Sequence, residues 1–240
     1  MVHSWKFGSL AVIAGIAACL AIPAQAQLFA PAAGPVGFYL GAEGGWTGLL
    51  TATNTGDCGG GCIPPSPGFQ AVSLERFSAG YNVGGRAGYQ LGAWRFEGEL
   101  SYRHNNSHGL DMVSPIHRRG RADGAERHSV SEMANLIYDI DLGWPVTPHL
   151  GGGVGAAEVT RNLSNMFGGT HDTVTAFAYQ GLAGVRYRIN PALALDIDYR
   201  YFATSATDFT STNPDLIKSD YGSHNVVVSL TWLFGASALP

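Results

Sequence analysis

The chain has 240 residues, of which 45% are hydrophobic and 13% charged, and its formal net charge is −4. This slight acidic excess offers no basic surface and argues against nucleic-acid binding. Beyond the N-terminus, one run of similar elements without a helical stretch predicts a single domain.

The N-terminal segment 1–26 has the composition of a signal peptide. Lys6 gives a short basic region, Leu10–Ile22 an apolar core, and Ala24–Ala26 a small-residue cleavage site. We therefore predict export of a mature chain of net charge −5, since removing Lys6 leaves 13 basic against 18 acidic residues. A lipoprotein site at Cys19 is the alternative, but its apolar core would be short.

The rest of the chain alternates apolar and polar residues with period two, which predicts β-strands. Eight segments carry the pattern: Val36–Leu50, Arg76–Leu91, Trp94–Arg103, Ser129–Trp144, His149–Glu158, Val174–Arg188, Leu193–Thr204 and Asn225–Phe234. We predict an all-β fold, an eight-stranded antiparallel up-and-down transmembrane β-barrel over 36–234. A lead-in at 27–35 precedes the barrel, and an extension at 235–240 follows it.

The aromatic residues indicate which face of the barrel points outward. The apolar parity carries more rings than an eight-stranded interior can hold. These rings form two groups: Trp46, Phe77, Tyr102, Phe177 and Tyr201 toward one end, and Phe38, Tyr89, Trp94, Trp144, Tyr187 and Phe234 toward the other. Two aromatic girdles around an aliphatic band are typical of a bilayer, so we predict that this face contacts lipid.

The connections between strands are asymmetric. Three are short turns: Gly92–Ala93, Pro145–Pro148 and Ile189–Ala192. Four are long and polar: Thr51–Glu75, His104–His128, Val159–Thr173 and Ser205–His224. This asymmetry is typical of barrels of the bacterial outer membrane, so we predict an integral protein with periplasmic turns and extracellular loops.

The polar positions of the predicted strands, which alternate with the apolar ones, hold six arginines and seven carboxylates. They are Glu43, Arg86, Arg95, Glu97, Glu99, Arg103, Asp139, Asp141, Arg186, Arg188, Asp196, Asp198 and Arg200. If these residues faced lipid, each basic side chain would destabilise the fold by about 2–4 kcal/mol. The total would exceed the typical folding stability of about 5–15 kcal/mol. We therefore predict that these charges point inward and pair in a network that plugs the lumen. The alternative is a narrow gated pore in which Arg95 or Arg186 changes carboxylate partners.

Two cysteines of the exported chain, Cys58 and Cys62, are separated by three glycines. In an exported protein they predict a loop disulfide. Closing so short a ring contributes at most about 2 kcal/mol, so it would stiffen a loop tip. A metal pair is the alternative, although it lacks nearby His or Cys ligands. We predict no metal and no cofactor.

The loop His104–His128 is rich in His and Arg. Its arginines Arg118, Arg119, Arg121 and Arg127 are candidates for contacts with lipopolysaccharide phosphates. The alternatives are a solvated loop and, less well supported, a histidine metal site.

Enzymatic activity is not expected. A barrel deacylase would need a His-x-Ser pair on a strand, and the sequence contains none. The adjacent pairs His128–Ser129 and Ser223–His224 would point to opposite faces of their strands. We predict no catalytic residues. A surface adhesin or ligand receptor acting through the long loops is the third class of function, and the sequence names no ligand for it.

Three motifs carry a resemblance to a known family. They are Phe38–Trp46 (FYLGAEGGW), Gly143–Pro148 (GWPVTP) and Ser229–Phe234 (SLTWLF). The mature chain resembles the OmpA-type transmembrane domain and related small outer-membrane β-barrel proteins of Gram-negative bacteria. The resemblance implies a monomeric structural barrel that supports envelope integrity and is inserted by the outer-membrane assembly machinery.

The chain departs from this family in two ways. No peptidoglycan-binding domain follows the last strand, so wall tethering is not implied. Six residues follow Phe234, whereas the family usually ends on an aromatic assembly signal.

Overall fold

The computed structural model describes residues 35–57, 70–114, 118–120, 125–163, 170–205, 207–210, 216–219 and 221–238. These ranges contain thirteen strands: β1 (Pro35–Leu49), β2 (Ala52–Asp57), β3 (Gln70–Phe77), β4 (Gly80–Leu91), β5 (Trp94–Ser114), β6 (Arg118–Gly120), β7 (Ala125–Asp139), β8 (Val146–Leu163), β9 (Thr170–Asn190), β10 (Leu193–Thr204), β11 (Thr207–Thr210), β12 (Leu216–Ser219) and β13 (Gly222–Ala238).

Eight strands close into a barrel. In the order β1, β4, β5, β7, β8, β9, β10 and β13, each pairs antiparallel with the next, and β13 pairs back with β1. The predicted eight-stranded antiparallel barrel is confirmed. We call the end at Gly92–Ala93 and Pro191–Ala192 the turn end and the opposite end the extension end. Among the described residues, no helix is long and apolar enough to cross a membrane.

Lipid-facing and lumen-facing residues alternate as predicted. Phe38, Trp46 and Trp232 are each about half exposed on the outer face, at 54%, 48% and 53%, whereas the inward Arg95 is completely buried. The rings pair at both ends of the outer face, for example Trp94 with Tyr138 at the turn end, with centroids 4.8 Å apart. Because water is absent from the bilayer core, the apolar parity has to be the outer one.

Several predicted strand ends are wrong. The segment Ser129–Trp144 stops at Asp139, and the turn covers 140–145 rather than Pro145–Pro148. Gly143 explains the turn, since its φ of 70° is left-handed and its N–H donates to the Asp141 carboxylate at 2.9 Å. At the C-terminus, residues 235–238 continue β13 beside β1, so they are not a separate extension.

The extension end is more ordered than the predicted long loops. β5 and β7 reach far into the predicted loop His104–His128, and β8 and β9 reach into Val159–Thr173. The short strands β11, β12, β2 and β3 pair in that order, β3 pairs with β5, and β6 also pairs with β5. The wall therefore continues past the membrane band.

Four long strands of the wall are each broken into two segments at the same level. The breaks separate β1 from β2, β3 from β4, β10 from β11 and β12 from β13. Backbone hydrogen bonds still connect neighbouring strands at these breaks. Leu50 N–H donates to Gly222 O and Thr204 N–H donates to Tyr221 O, both at 2.9 Å. One break splits the predicted strand Arg76–Leu91 and changes its parity. Phe77 consequently faces Arg127 inside the wall instead of joining the outer girdle.

Candidate functional site

The barrel interior contains a dense charged network, and eleven of the thirteen predicted lumen charges belong to it. They are five arginines and six carboxylates, all buried: Arg86, Arg95, Arg103, Arg186, Arg200, Glu43, Glu97, Glu99, Asp139, Asp196 and Asp198. Asp141 and Arg188 do not belong, because both are exposed at the turn end. Asp141 lies beyond the end of β7, and Arg188 sits near the end of β9, where water reaches the mouth of the barrel.

At the turn end, two arginine–aspartate pairs close the network. Arg186 holds Asp196 through two hydrogen bonds, of 2.6 Å from Nε and 3.1 Å from Nη2. Arg95 holds Asp139 from Nε at 3.0 Å and from Nη2 at 2.8 Å. Gln90 also donates to Asp139, at 3.1 Å. Two-point contacts of this kind fix both partners, which makes the turn end a rigid polar cap.

In the middle of the barrel, Arg200 binds three carboxylates. Its guanidinium lies 3.0 Å from Glu43, 3.0 Å from Glu99 and 2.8 Å from Asp198. Arg86 lies beside it and reaches Glu97 at 3.4 Å and Asp198 at 3.5 Å. The two arginines join four strands across the lumen.

Neutral side chains that the sequence analysis did not single out complete this layer. Asn135 donates to Glu97 at 3.2 Å and to Glu99 at 2.9 Å, and Gln180 donates to Glu99 at 2.9 Å. The Tyr39 hydroxyl donates to Glu97 at 3.0 Å. All three residues lie on the inward parity of their strands, so the alternation that located the charges could have located these groups too.

His149 is a second omission of the sequence analysis. It is buried on β8, and its Nε2 lies 2.8 Å from Asp198 Oδ1. In the sheet it stands opposite Asp139 on β7 and Gly184 on β9. A Cβ at Gly184 would lie 2.5 Å from Asp198 Oδ1 and 2.8 Å from His149 Nε2. Glycine is therefore required there to make room for the pair.

An apolar layer lies above the charged network, toward the extension end. It consists of the buried residues Met133, Ala157, Val159, Ala178, Phe202 and Tyr221, with Leu49 and Val174 against them. Arg103 bridges the two layers: its guanidinium stacks on the Phe202 ring at 4.1 Å and its Nη1 donates to Ser131 at 2.7 Å. Burial raises the pKa of the Tyr221 phenol, which lies just before β13 on the extension side. The sequence analysis singled out the charged residues of the inward face and did not predict this layer.

Beyond the apolar layer, Glu75 binds two further arginines. Arg127 and Arg161 both donate to Glu75 Oε2, at 3.1 Å and 3.0 Å, and Arg127 stacks over Phe77 at 5.1 Å. Arg127 is thus buried within the wall, so its predicted contact with lipopolysaccharide is wrong. The inward parity of β7 continues past the membrane band and carries this side chain inside.

The structure describes the other predicted site residues only in part. Arg118 and Arg119 form part of β6, which pairs with β5. Arg121, the Cys58–Cys62 pair and the signal segment with Cys19 lie outside the described residues. Within the described ranges, no group of three or more His, Cys, Asp or Glu side chains is arranged to hold a metal ion.

A closed barrel with a lipid-facing apolar surface and a charged interior defines a transmembrane β-barrel. The chain belongs to the outer membrane protein beta-barrel domain family, whose sequence profile matches residues 12–234. It is therefore an integral protein of the bacterial outer membrane. No curated protein sequence matches the chain.

Solved structures of outer-membrane barrels are similar to this one. Neisserial surface protein A matches with 20% identity and a TM-score of 0.50, covering 84% of this chain and 99% of that one. OprG of Pseudomonas aeruginosa matches with 12% identity and a TM-score of 0.55, covering 83% and 97%. The outer membrane protease OmpT of Escherichia coli matches with 7% identity and a TM-score of 0.48, covering 82% and 97%. The low identities to Neisserial surface protein A and OprG show the fold alone.

Proposed function

We propose that this protein is a structural, non-enzymatic barrel of the outer membrane whose plugged lumen conducts little or no current and whose presence supports envelope integrity. The observation that carries the proposal is the filled interior. Eleven buried charges and an apolar layer occupy successive levels of the lumen. A small monomeric barrel of this kind needs lipid, lipopolysaccharide and the assembly machinery as its partners.

The energetics of the interior argue against a pore. An ion crossing the lumen would have to displace paired charges from a space where an unpaired charge is costly. It would then meet the apolar layer around Phe202 and Val159, which offers no hydration. A pore would require both layers to rearrange.

Planar bilayer recording tests this proposal. We expect the purified protein to give no regular single-channel steps. Arg95→Ala serves as the comparison: it removes the side chain that holds Asp139 and should admit water and small cations to the turn end of the lumen, but the apolar layer remains and should still block regular steps. Large regular steps from the unmutated protein, comparable to those of a general porin, would overturn the plugged lumen.

The proposed orientation places the turn end in the periplasm and the extension end outside the cell. The support is the loop asymmetry, since short turns face the periplasm in such barrels. Epitope insertions at Pro191–Ala192 and at residues 211–215 separate the two orientations. On intact cells, antibody should bind only the second insertion, and binding of only the first would reverse the topology.

An enzymatic role has no support in the site. The buried carboxylates that stand two residues apart, Glu97 with Glu99 and Asp196 with Asp198, each accept hydrogen bonds from arginine or amide groups. They lie inside a packed network, where no substrate can approach. Hydrolysis of lipid A acyl chains by the purified protein in lipopolysaccharide-containing micelles would contradict a non-enzymatic role.

A surface receptor is the second candidate function, and the strand extensions favour it. Uninterrupted hydrogen-bonded strands such as β5, β8 and β9 hold the extension end on a firm base, which is suited to presenting a binding surface. Arg118 and Arg119 on β6, and Arg121 from the sequence, remain candidates for contacts with lipopolysaccharide phosphates.

A deletion series separates the two functions. Removing residues 115–117, 164–169 or 211–215 should leave detergent resistance of the cells intact if the barrel acts structurally, whereas loss of the whole protein should lower it. Loss of surface adhesion in these three deletions alone would favour the receptor.

A further inference from the structure

Two histidines lie side by side on the outer face of the barrel, near its extension end. His104 on β5 and His128 on β7 are directly opposite each other in the antiparallel register. Residues opposite each other in such a pair point to the same face, with Cβ atoms about 4.5–5.5 Å apart. Their chain neighbours Arg103 and Ser129 are buried inside, whereas both histidines are partly exposed. The two rings can therefore be reached from outside the barrel.

The wall gives this histidine pair a fixed scaffold. The sequence predicts a loop over His104–His128, but the structure places both ends of that segment on paired strands, β5 and β7. The rings also pack on tyrosines: the centroid of His104 lies 5.5 Å from that of Tyr81, and the centroid of His128 lies 6.0 Å from that of Tyr102. Rings restricted in this way lose less freedom when both bind one ligand.

Two imidazoles at this spacing suit a metal ion. Histidine is the commonest protein ligand of metals, and its imidazole prefers ions such as Ni²⁺, Cu²⁺ and Zn²⁺. A zinc–nitrogen bond is about 2.0–2.1 Å long, so two nitrogens on one ion are about 3 Å apart. Rings carried on opposite residues of a strand pair can converge to that separation. We propose that His104 and His128 form a surface site for a divalent transition-metal ion, with water at the remaining coordination positions.

The charges around the histidine pair favour a cation. Glu126 is exposed on the same face of β7, two residues from His128, and Glu158 is exposed on β8 in the diagonal position. The residues that face the pair from the flanking strands, Tyr81 on β4 and Thr160 on β8, are uncharged. A metal ion would therefore approach a site that is bordered by two carboxylates.

The position of the site gives the ion a structural role. His104 follows Tyr102, a residue of the predicted aromatic girdle, by two positions toward the extension end. The pair therefore lies on the water side of the girdle, where the wall leaves the membrane band. An ion held by both rings would fasten β5 to β7 at the base of the extension. The site is on the outer face, so it is independent of the charged network in the lumen.

Metal-dependent unfolding tests the proposal. The mature protein, without a polyhistidine tag, is refolded in phosphatidylcholine vesicles and unfolded by urea at increasing concentrations of free Ni²⁺. An ion that binds only the folded barrel lowers the unfolding equilibrium constant about tenfold for each tenfold rise in its concentration above Kd. We expect this response to Ni²⁺. The same concentrations of Mg²⁺, which prefers oxygen ligands, should have no such effect.

Single variants show whether both rings bind the ion. His104→Gln and His128→Gln each leave one imidazole, so we expect either change to remove most of the response to Ni²⁺. The matched control is His224→Gln, since His224 is also on the outer face but has Gly48 and Tyr201 as its cross-strand neighbours. It should keep the full response. A full response in either of the first two variants would overturn the proposal, as would equal effects of Ni²⁺ and Mg²⁺ or no response of the unmutated barrel.

A spectroscopic readout covers the case in which neither variant folds. One equivalent of Cu²⁺ is added to the unmutated barrel, and its electron paramagnetic resonance is recorded. We expect coupling to the nitrogens of two imidazoles. Coupling to one imidazole or to none would refute the two-histidine site without any variant.

Discussion

Arg200→Met tests whether the lumen network holds the barrel together. The arginine binds Glu43, Glu99 and Asp198, each at 3.0 Å or less, so its removal leaves three carboxylates with fewer partners. Breaking one buried pair costs about 3–5 kcal/mol. Because Arg86 and amide groups remain near these carboxylates, we expect a loss near the lower limit of that range from the whole substitution. This is a large part of a stability of about 5–15 kcal/mol.

The assay is urea unfolding in lipid, monitored by the outward-facing tryptophans, together with the fraction that keeps folded mobility in unheated SDS gels. Arg188→Met is the matched control, since it makes the same chemical change at an exposed arginine of the turn end. It should alter stability by no more than about 0.5 kcal/mol.

A double variant tests whether Arg200 and Glu43 stabilise the barrel through each other. Adding Glu43→Gln to Arg200→Met removes one of the stranded carboxylates, so the double variant should be more stable than the sum of the two single losses. Strict additivity, or an Arg200→Met barrel as stable as the unmutated one, would show that these charges do not stabilise one another.

Three further predictions test the wall, its packing and the loop. Ile197→Arg, on the lipid face in mid-strand, should lower the free energy of unfolding by about 2–4 kcal/mol. Ile189→Arg, near the end of β9, should lower it by about 0–1 kcal/mol. Equal losses in urea unfolding would contradict the assigned membrane band. Gly155→Ala should cost about 1–3 kcal/mol, since its Cβ would overlap the Glu132 carbonyl oxygen, whereas Gly181→Ala, with nothing within 4 Å, should be tolerated; folded SDS-gel mobility reports both. The pair Cys58–Cys62 should be oxidised in protein from the outer membrane, seen as a mass two hydrogens lower before reduction, and alkylation of both thiols without reductant would disprove it.

The wrong predictions at the extension end have a physical cause. Within the bilayer, lipid forces one parity to be apolar, and the parity of Trp94–Arg103 can be read without a structure. At the extension end both faces of a strand can be polar, so the alternation disappears, although hydrogen bonding continues through β5 to Ser114. The sequence therefore predicts a surface loop for Arg127, whereas the structure buries this side chain against Glu75.

The sequence by itself determined the class of fold, the lipid-facing parity and the presence of an internal charge network. Each of these follows from a local rule, the side-chain alternation of a strand set against the polarity of its surroundings. Only the tertiary structure decided which charges meet. Arg200 and Glu43 are 157 positions apart in the chain, and His149 and Asp198 are 49 apart. The register and closure of the barrel bring such residues together, and no local pattern contains that information.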